Sequence, residues 1–181
     1  MKLAVHMTLE TIAILATAAF SAGVLNAIAG GGSFLTFPAL VFVGIPPISA
    51  NATSALSVSP GYLGSIFGFK QELQALPRRL LLQEFAVASG GGLIGALLLL
   101  VTPAQVFAGL VPWLLLFATI LFALGPWLAA RQRANGRVMA EATHLHGARL
   151  FGLFAVCIYG GYFNGGLGIL MMALYGLVGE T

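Results

Sequence analysis

The stretch from Asn26 to Ser54 reads NAIAGGGSFLTFPALVFVGIPPISANATS, and its interpretation decides the fold. Gly30, Gly31 and Gly32 interrupt an apolar run that is otherwise long enough for a helix. Three consecutive glycines cost a helix about 2–3 kcal/mol relative to alanine, so the helix is expected to break there. Phe34–Val43 is an apolar decade, half of a membrane span at 1.5 Å per residue, and it stops at Gly44-Ile45-Pro46-Pro47. It reads either as a re-entrant half-helix or as the continuation of a kinked first helix. Asn51, Thr53 and Ser54 then place polar groups just inside the next apolar run. Broken helices with polar residues at the break are how membrane transporters build a binding site within a bilayer.

Composition places the rest of the chain in the same setting. Of 181 residues 59% are hydrophobic and 7% charged, and mean hydropathy is +1.00. A soluble domain carries about 25% charged residues, so too little charge is present to cover a water-facing surface. The lipid bilayer is the expected surroundings. Aspartate is absent, and 8 Lys+Arg against 5 Glu leave a net charge of +3. The positive residues lie between apolar runs, as the positive-inside rule expects, which argues against nucleic acid as a partner. Lys2, the apolar run and Phe20-Ser21-Ala22 have the outline of a signal peptide, but the run continues past Ala22, which favours a retained first helix.

Spans are expected at about Leu9–Ala29, Ile48–Phe69, Leu80–Val101 and Gln105–Ala130, with a fifth apolar stretch from Leu150 to Val178. Gly64 with Gly68, and Gly91 with Gly95, are small residues four apart that let another helix approach closely. The polar segments 70–79 (Lys70, Arg78, Arg79) and 131–149 (Arg131, Arg133, Arg137, Arg149) are separated by two spans, so both are expected in the cytoplasm. The side of the N-terminus depends on whether 34–43 crosses. The fold class is therefore all-α, a multi-pass helical membrane protein with broken or re-entrant helices.

An internal echo suggests an inverted-repeat transporter. Gly23-Val-Leu-Asn26 precedes a glycine cluster and an apolar decade, and Gly161-Tyr-Phe-Asn164 precedes Gly165-Gly166-Leu-Gly168 and another. The expected layout is one transmembrane domain over 1–181: a first repeat at 1–130, the loop at 131–149 and the beginning of a second repeat at 150–181. The second copy stops where its counterpart of Asn51–Ser54 would start. A truncated product, or a half that needs a partner or a second copy of itself, is the corresponding expectation.

Together, GGGSFLTFPALVFVGIPPISANATS and GYFNGGLGILMMALYGLVG resemble the TauE/SafE family of membrane transporters, also called sulfite exporters. The resemblance implies a bacterial inner-membrane permease of about seven or eight spans that exports sulfite, organosulfonates or other small anions. The early end departs from that pattern. Its alternative is a non-transporting subunit or remnant of such a permease.

The residue chemistry is compatible with an anion. A helix N-terminus offers unsatisfied N–H groups and about half a positive charge. Asn26, Gly30, Gly31, Gly32, Ser33, Thr36, Asn51, Thr53 and Ser54 form the first half of the candidate substrate site, and Asn164, Gly165, Gly166 and Gly168 the second. Structural roles compete with each assignment: Asn51–Ser54 as a helix cap, and the glycines as close packing. Charged residues lie outside the centres of the expected spans, with Glu84 near an end, so no buried carboxylate is available to couple transport to protons. His144 and His146 read as part of a solvated loop, Cys157 as packing, and no cofactor or metal is expected. An enzyme is not expected either, since no nucleophile–base pair lies within the spans.

Overall fold

A computed structural model of the chain describes residues 8–134 and 142–178. Its elements are α1 (Leu9–Ala29), α2 (Ser33–Phe42), α3 (Pro47–Gly68), α4 (Lys70–Ala75), α5 (Arg78–Val101), α6 (Ala104–Ala134), α7 (Ala142–Tyr162) and α8 (Leu167–Val178). The described residues hold no strand, and the fold is an all-α membrane fold. Among the described helices, α5 and the Leu9–Ala27 part of α1 are long and apolar enough to cross a membrane. Outward faces carry bare apolar side chains such as Phe20, Leu56, Phe85, Leu100 and Trp113, the surface expected against lipid tails.

The first break is where the glycines place it. Thr8 caps α1 by accepting from the Thr11 N–H at 3.2 Å. Gly30 ends the helix in the left-handed conformation, φ 65°, and its N–H donates to the Asn26 carbonyl at 3.0 Å. The chain then doubles back. Gly32 sits against the Ala22 carbonyl and Asn26, while Leu15, much earlier on α1, packs against the core that Phe37 and Leu40 share with Ala50, Phe107 and Phe163. Helix α2 is thus the descending arm of a hairpin and does not continue α1. A turn at Gly44 (φ 91°) reverses the chain again, with Pro47 in the first turn of α3. The Thr36–Ser54 contact and the Gly32–Val58 contact run α3 antiparallel to α2, and so parallel to α1.

Helices α5 and α7 lie parallel in close contact. A Cβ on Gly91 would fall 2.7 Å from the Phe154 carbonyl oxygen and 2.9 Å from the Cys157 Cβ. On Gly95 it would overlap the Ile158 carbonyl, and on Gly161 the Gly92 carbonyl. Backbone therefore meets backbone, the small-residue crossing that bilayers favour. The other glycine pair is different: a Cβ added at Gly64 or Gly68 would meet nothing within 4 Å among the described residues. Helix α8 returns antiparallel along α7, with Leu167 filling the space at Gly160 and Leu174 that at Gly152. Two helix hairpins, α1–α2 and α7–α8, therefore face each other.

Helix ends differ from the sequence reading in the polar segments. Lys70–Ala75 forms α4, and Arg78 and Arg79 open α5. The segment expected as a loop at 131–149 is helical at both ends, α6 reaching Ala134 and α7 beginning at Ala142, so His144 and His146 lie on α7. Residues 135–141 lie outside the described residues. Arg149 belongs to no loop; it is buried on α7, 3.3 Å from Glu84 of α5. Pro112 and Pro126 do not end α6, which runs through both.

The candidate site at the meeting of two helix breaks

The second break, residues 163–166, is built by the same means as the first. Gly166 has φ 76°, and Tyr159 ties the turn down by donating to the Gly165 carbonyl at 2.9 Å, with the Leu114 carbonyl of α6 at 3.2 Å. Phe163 is completely buried and meets Phe37 of α2 edge-on, centroids 5.3 Å apart at 86°. Such a pair contributes about 0.5–1.5 kcal/mol beyond its buried area. These aromatic contacts press the second break onto the first.

Where the breaks meet, polar side chains are joined. The Asn51 side chain, 4% exposed on α3, uses both ends of its amide: Nδ2 donates to the Tyr162 carbonyl at 3.1 Å, and Oδ1 accepts from the Asn164 N–H at 3.2 Å. It thereby caps the open end of α7. The Asn164 side chain donates to Ser33 Oγ at 2.9 Å, bridging to the first residue of α2. Thr36 Oγ1 and Ser54 Oγ share a hydrogen bond of 2.5 Å, both side chains buried. Backbone also meets backbone: a Cβ on Gly168 would lie 2.6 Å from the Gly30 carbonyl oxygen, and one on Gly30 2.9 Å from Gly168 Cα. Gly31 faces Ile169, and Gly166 faces Phe34 and Ala118.

The two sequence stretches therefore converge, residue by residue. Asn51, Asn164 and Ser33 form one buried hydrogen-bonded group and Thr36 and Ser54 a second, and Gly30, Gly31, Gly32, Gly166 and Gly168 are the bare backbone that lets the breaks close. Gly165 is buried, with Phe163 occupying the space beside it. Thr53 is exposed on the other side of α3 and takes no part. Asn26 stands at the edge. Its Oδ1 accepts from the Gly32 N–H at 3.4 Å, which covers the start of α2. The Phe34 and Leu35 N–H groups donate to the Gly31 and Gly32 carbonyls at 3.0 and 3.1 Å, so these first-turn donors of α2 already have protein partners.

Room for a ligand lies one step aside. A cavity of about 290 Å³ opens between α1 and α3. Asn26, Thr36, Ser57, Tyr62 and Ser65 give it polar lining, Ala22 and Val58 apolar lining, and among the described residues no charged one borders it. Gly61 keeps it open, since a Cβ there would meet Asn26 Nδ2 at 3.3 Å. With its Oδ1 turned to the backbone, Asn26 directs its amide donor toward this space. Ser65 donates to the Gly61 carbonyl at 3.0 Å and Ser57 to that of Ser54 at 2.8 Å, so both oxygens retain acceptor capacity. Sequence reading missed Ser57, Tyr62 and Ser65. The available signal was their spacing: with Gly61 they recur three to four apart, which is one face of α3.

An α-helical membrane protein with two opposed interrupted helices, joined by neutral polar groups, has the architecture of a transporter. The comparisons agree. The sequence profile of the family described as sulfite exporter TauE/SafE matches residues 15–180, and the chain belongs to that family. It is similar to a probable membrane transporter protein of Haemophilus influenzae, 30% identical over 166 residues, which are 90% of this chain and 61% of the relative. The probable membrane transporter protein YfcA of Escherichia coli K12 is 29% identical over 174 residues, 94% of this chain and 59% of the relative. A further match is the probable membrane transporter protein ORF9 of a Sinorhizobium species, 32% identical over 126 residues, 66% of this chain and 46% of the relative. The chain spans about half to three fifths of the length of these curated relatives. No solved structure matches.

Proposed function

We propose that this membrane transporter chain serves a permease that moves a small anion, of the sulfite or organosulfonate class, across the bacterial inner membrane. One observation carries the reading: the two helix breaks meet at neutral hydrogen-bonding groups beside an uncharged cavity of about 290 Å³. An anion there meets the Asn26 amide and the Tyr62 hydroxyl as donors, without a fixed cation. Binding is then weak enough to permit release, as transport requires. Asn26 and Thr36 contact the ligand, and Asn51, Ser54, Ser33 and Asn164 hold the breaks that shape the space.

The helix directions support one orientation of the chain. Helices α1 and α3 are parallel, and α3 runs toward Lys70, Arg78 and Arg79. With those residues in the cytoplasm, the N-terminus is outside, and the hairpins α1–α2 and α7–α8 enter from opposite faces as the two halves of an inverted repeat.

The test is flux. Purified chain in liposomes should take up radiolabelled sulfite, and Asn26→Ala should lower the rate without altering insertion. Correct insertion with no flux from the unmodified chain would support the rival reading, a non-transporting membrane subunit.

A further inference from the structure

Helices α1 and α7 open the two hairpins, and their residues correspond. Gly23 and Asn26 match Gly161 and Asn164, and the apolar decades that follow end at Gly44 and Gly179. Counted back equally from those last glycines, Gly32 matches Leu167. Packing keeps the same register. Gly32 sits against the Ala22 carbonyl, and Leu167 fills the space at Gly160, the counterpart of Ala22. What one hairpin touches therefore indicates what the other is shaped to touch.

On α7 the face away from α8 is occupied. Phe154, Cys157, Ile158 and Gly161 meet α5, and all four are buried or half-buried. Their counterparts on α1 are Ala16, Ala19, Phe20 and Gly23, and all four are exposed, Phe20 to 76%. A Cβ on Gly161 would overlap the Gly92 carbonyl, whereas one on Gly23 would meet nothing within 4 Å among the described residues. Lipid does not call for small residues: other outward faces carry Phe85, Leu97 and Leu100. Ala16, Ala19 and Gly23 instead leave α1 the shallow surface that a second helix backbone can approach.

We propose that this face of α1 docks a transmembrane helix of a partner, as α7 docks α5. The partner helix is apolar, carries two small residues four apart in the manner of Gly91 and Gly95, and runs parallel to α1. The α5–α7 crossing, transferred to α1, sets its first small residue over Ala16 and Ala19 and its second over Phe20 and Gly23. The match covers 61% of the Haemophilus influenzae relative and 59% of the Escherichia coli one, so both have room for such a helix outside the shared part. Ala19 and Gly23 also border the cavity of about 290 Å³, and the docked helix adds a wall to it. The docking does not depend on what that cavity binds.

The experiment places the whole chain in liposomes of brominated phosphatidylcholine, with Trp113→Phe and Trp127→Phe leaving Phe20→Trp as the one fluorophore. Bromolipid quenches a tryptophan that it touches. The probe is a synthetic peptide of Arg78–Val101, the chain's own α5. Without peptide the reporter should be quenched, and with it the fluorescence should return to its level in unbrominated lipid. A peptide carrying Gly91→Ile and Gly95→Ile should give no protection. Nor should the unmodified peptide protect a chain that also carries Gly23→Ile. Phe85→Trp, a reporter on an outward face of α5, should stay quenched throughout. Persistent quenching of Phe20→Trp with the unmodified peptide overturns the proposal, as does protection that survives either set of glycine replacements. Protection without any peptide also overturns it, because a second copy of the chain then covers the face.

Discussion

Replacing Asn51 by Ala removes the clamp across the second break. Two hydrogen bonds go with it, to the Tyr162 carbonyl at 3.1 Å and from the Asn164 N–H at 3.2 Å. Both partners are main-chain groups at a helix end, and their burial leaves no easy replacement. Interhelical hydrogen bonds within membranes average about 0.6 kcal/mol and reach about 1.7. Two of them give about 1–3 kcal/mol for the docked break. A change of that size shifts an equilibrium roughly 5- to 150-fold. Asn51→Leu keeps most of the volume without the amide and should lose a similar amount, which separates hydrogen bonding from cavity formation. Amide hydrogen exchange at Asn164 in detergent micelles reads the opening directly, and thermal unfolding reads the global cost. Exchange should accelerate by the stated factor in both variants. Unchanged exchange at Asn164 together with unchanged thermal unfolding would refute the clamp.

Two further substitutions test the glycine contacts. Gly32→Ala drives a methyl to 2.7 Å from the Ala22 carbonyl oxygen and 2.9 Å from Asn26 Cβ, whereas the tightest contact of Gly31→Ala is the Ile169 Cδ1 tip at 3.0 Å. The first should cost about 1–3 kcal/mol as overpacking against backbone, the second clearly less, and thermal unfolding of the two purified variants ranks them. Gly95→Val must push α5 away from the Ile158 carbonyl and the Tyr162 N–H, so the variant should elute as an expanded or aggregated species on size-exclusion chromatography; a wild-type profile would contradict the crossing.

Much of the architecture was legible because glycine and charge leave strong signals in an apolar chain. The span from Leu9 to Ala29 and the break after it follow from helix propensity alone. Asn164 and Ser33 were legible as polar residues beside breaks, but their hydrogen bond joins positions 131 residues apart, and no local pattern announces it. Gly31 was not distinguishable from its neighbours in the sequence. Its neighbours Gly30 and Gly32 are the stricter ones, because they abut main chain while Gly31 abuts a side chain that can shift. Thr53 shared the polar cluster with Asn51 and Ser54, yet helical geometry turns it to the opposite face. Arg149 was misassigned for a similar reason: charge within a polar run reads as loop, and only α7's early start buries it. The glycine pairs show the same limit. Gly91/Gly95 and Gly64/Gly68 are indistinguishable as spacings, and the partner helix decides which is used.

The contact between Gly30 and Gly168 has a mechanical consequence. Ordinary helix interfaces are cushioned by side chains that can change rotamer and absorb small displacements. Here main chain rests on main chain, so the joint has no soft layer. A shift of one hairpin by an ångström must be passed on to the other or must part them altogether. Such a joint behaves as a rigid bearing between the two hairpins.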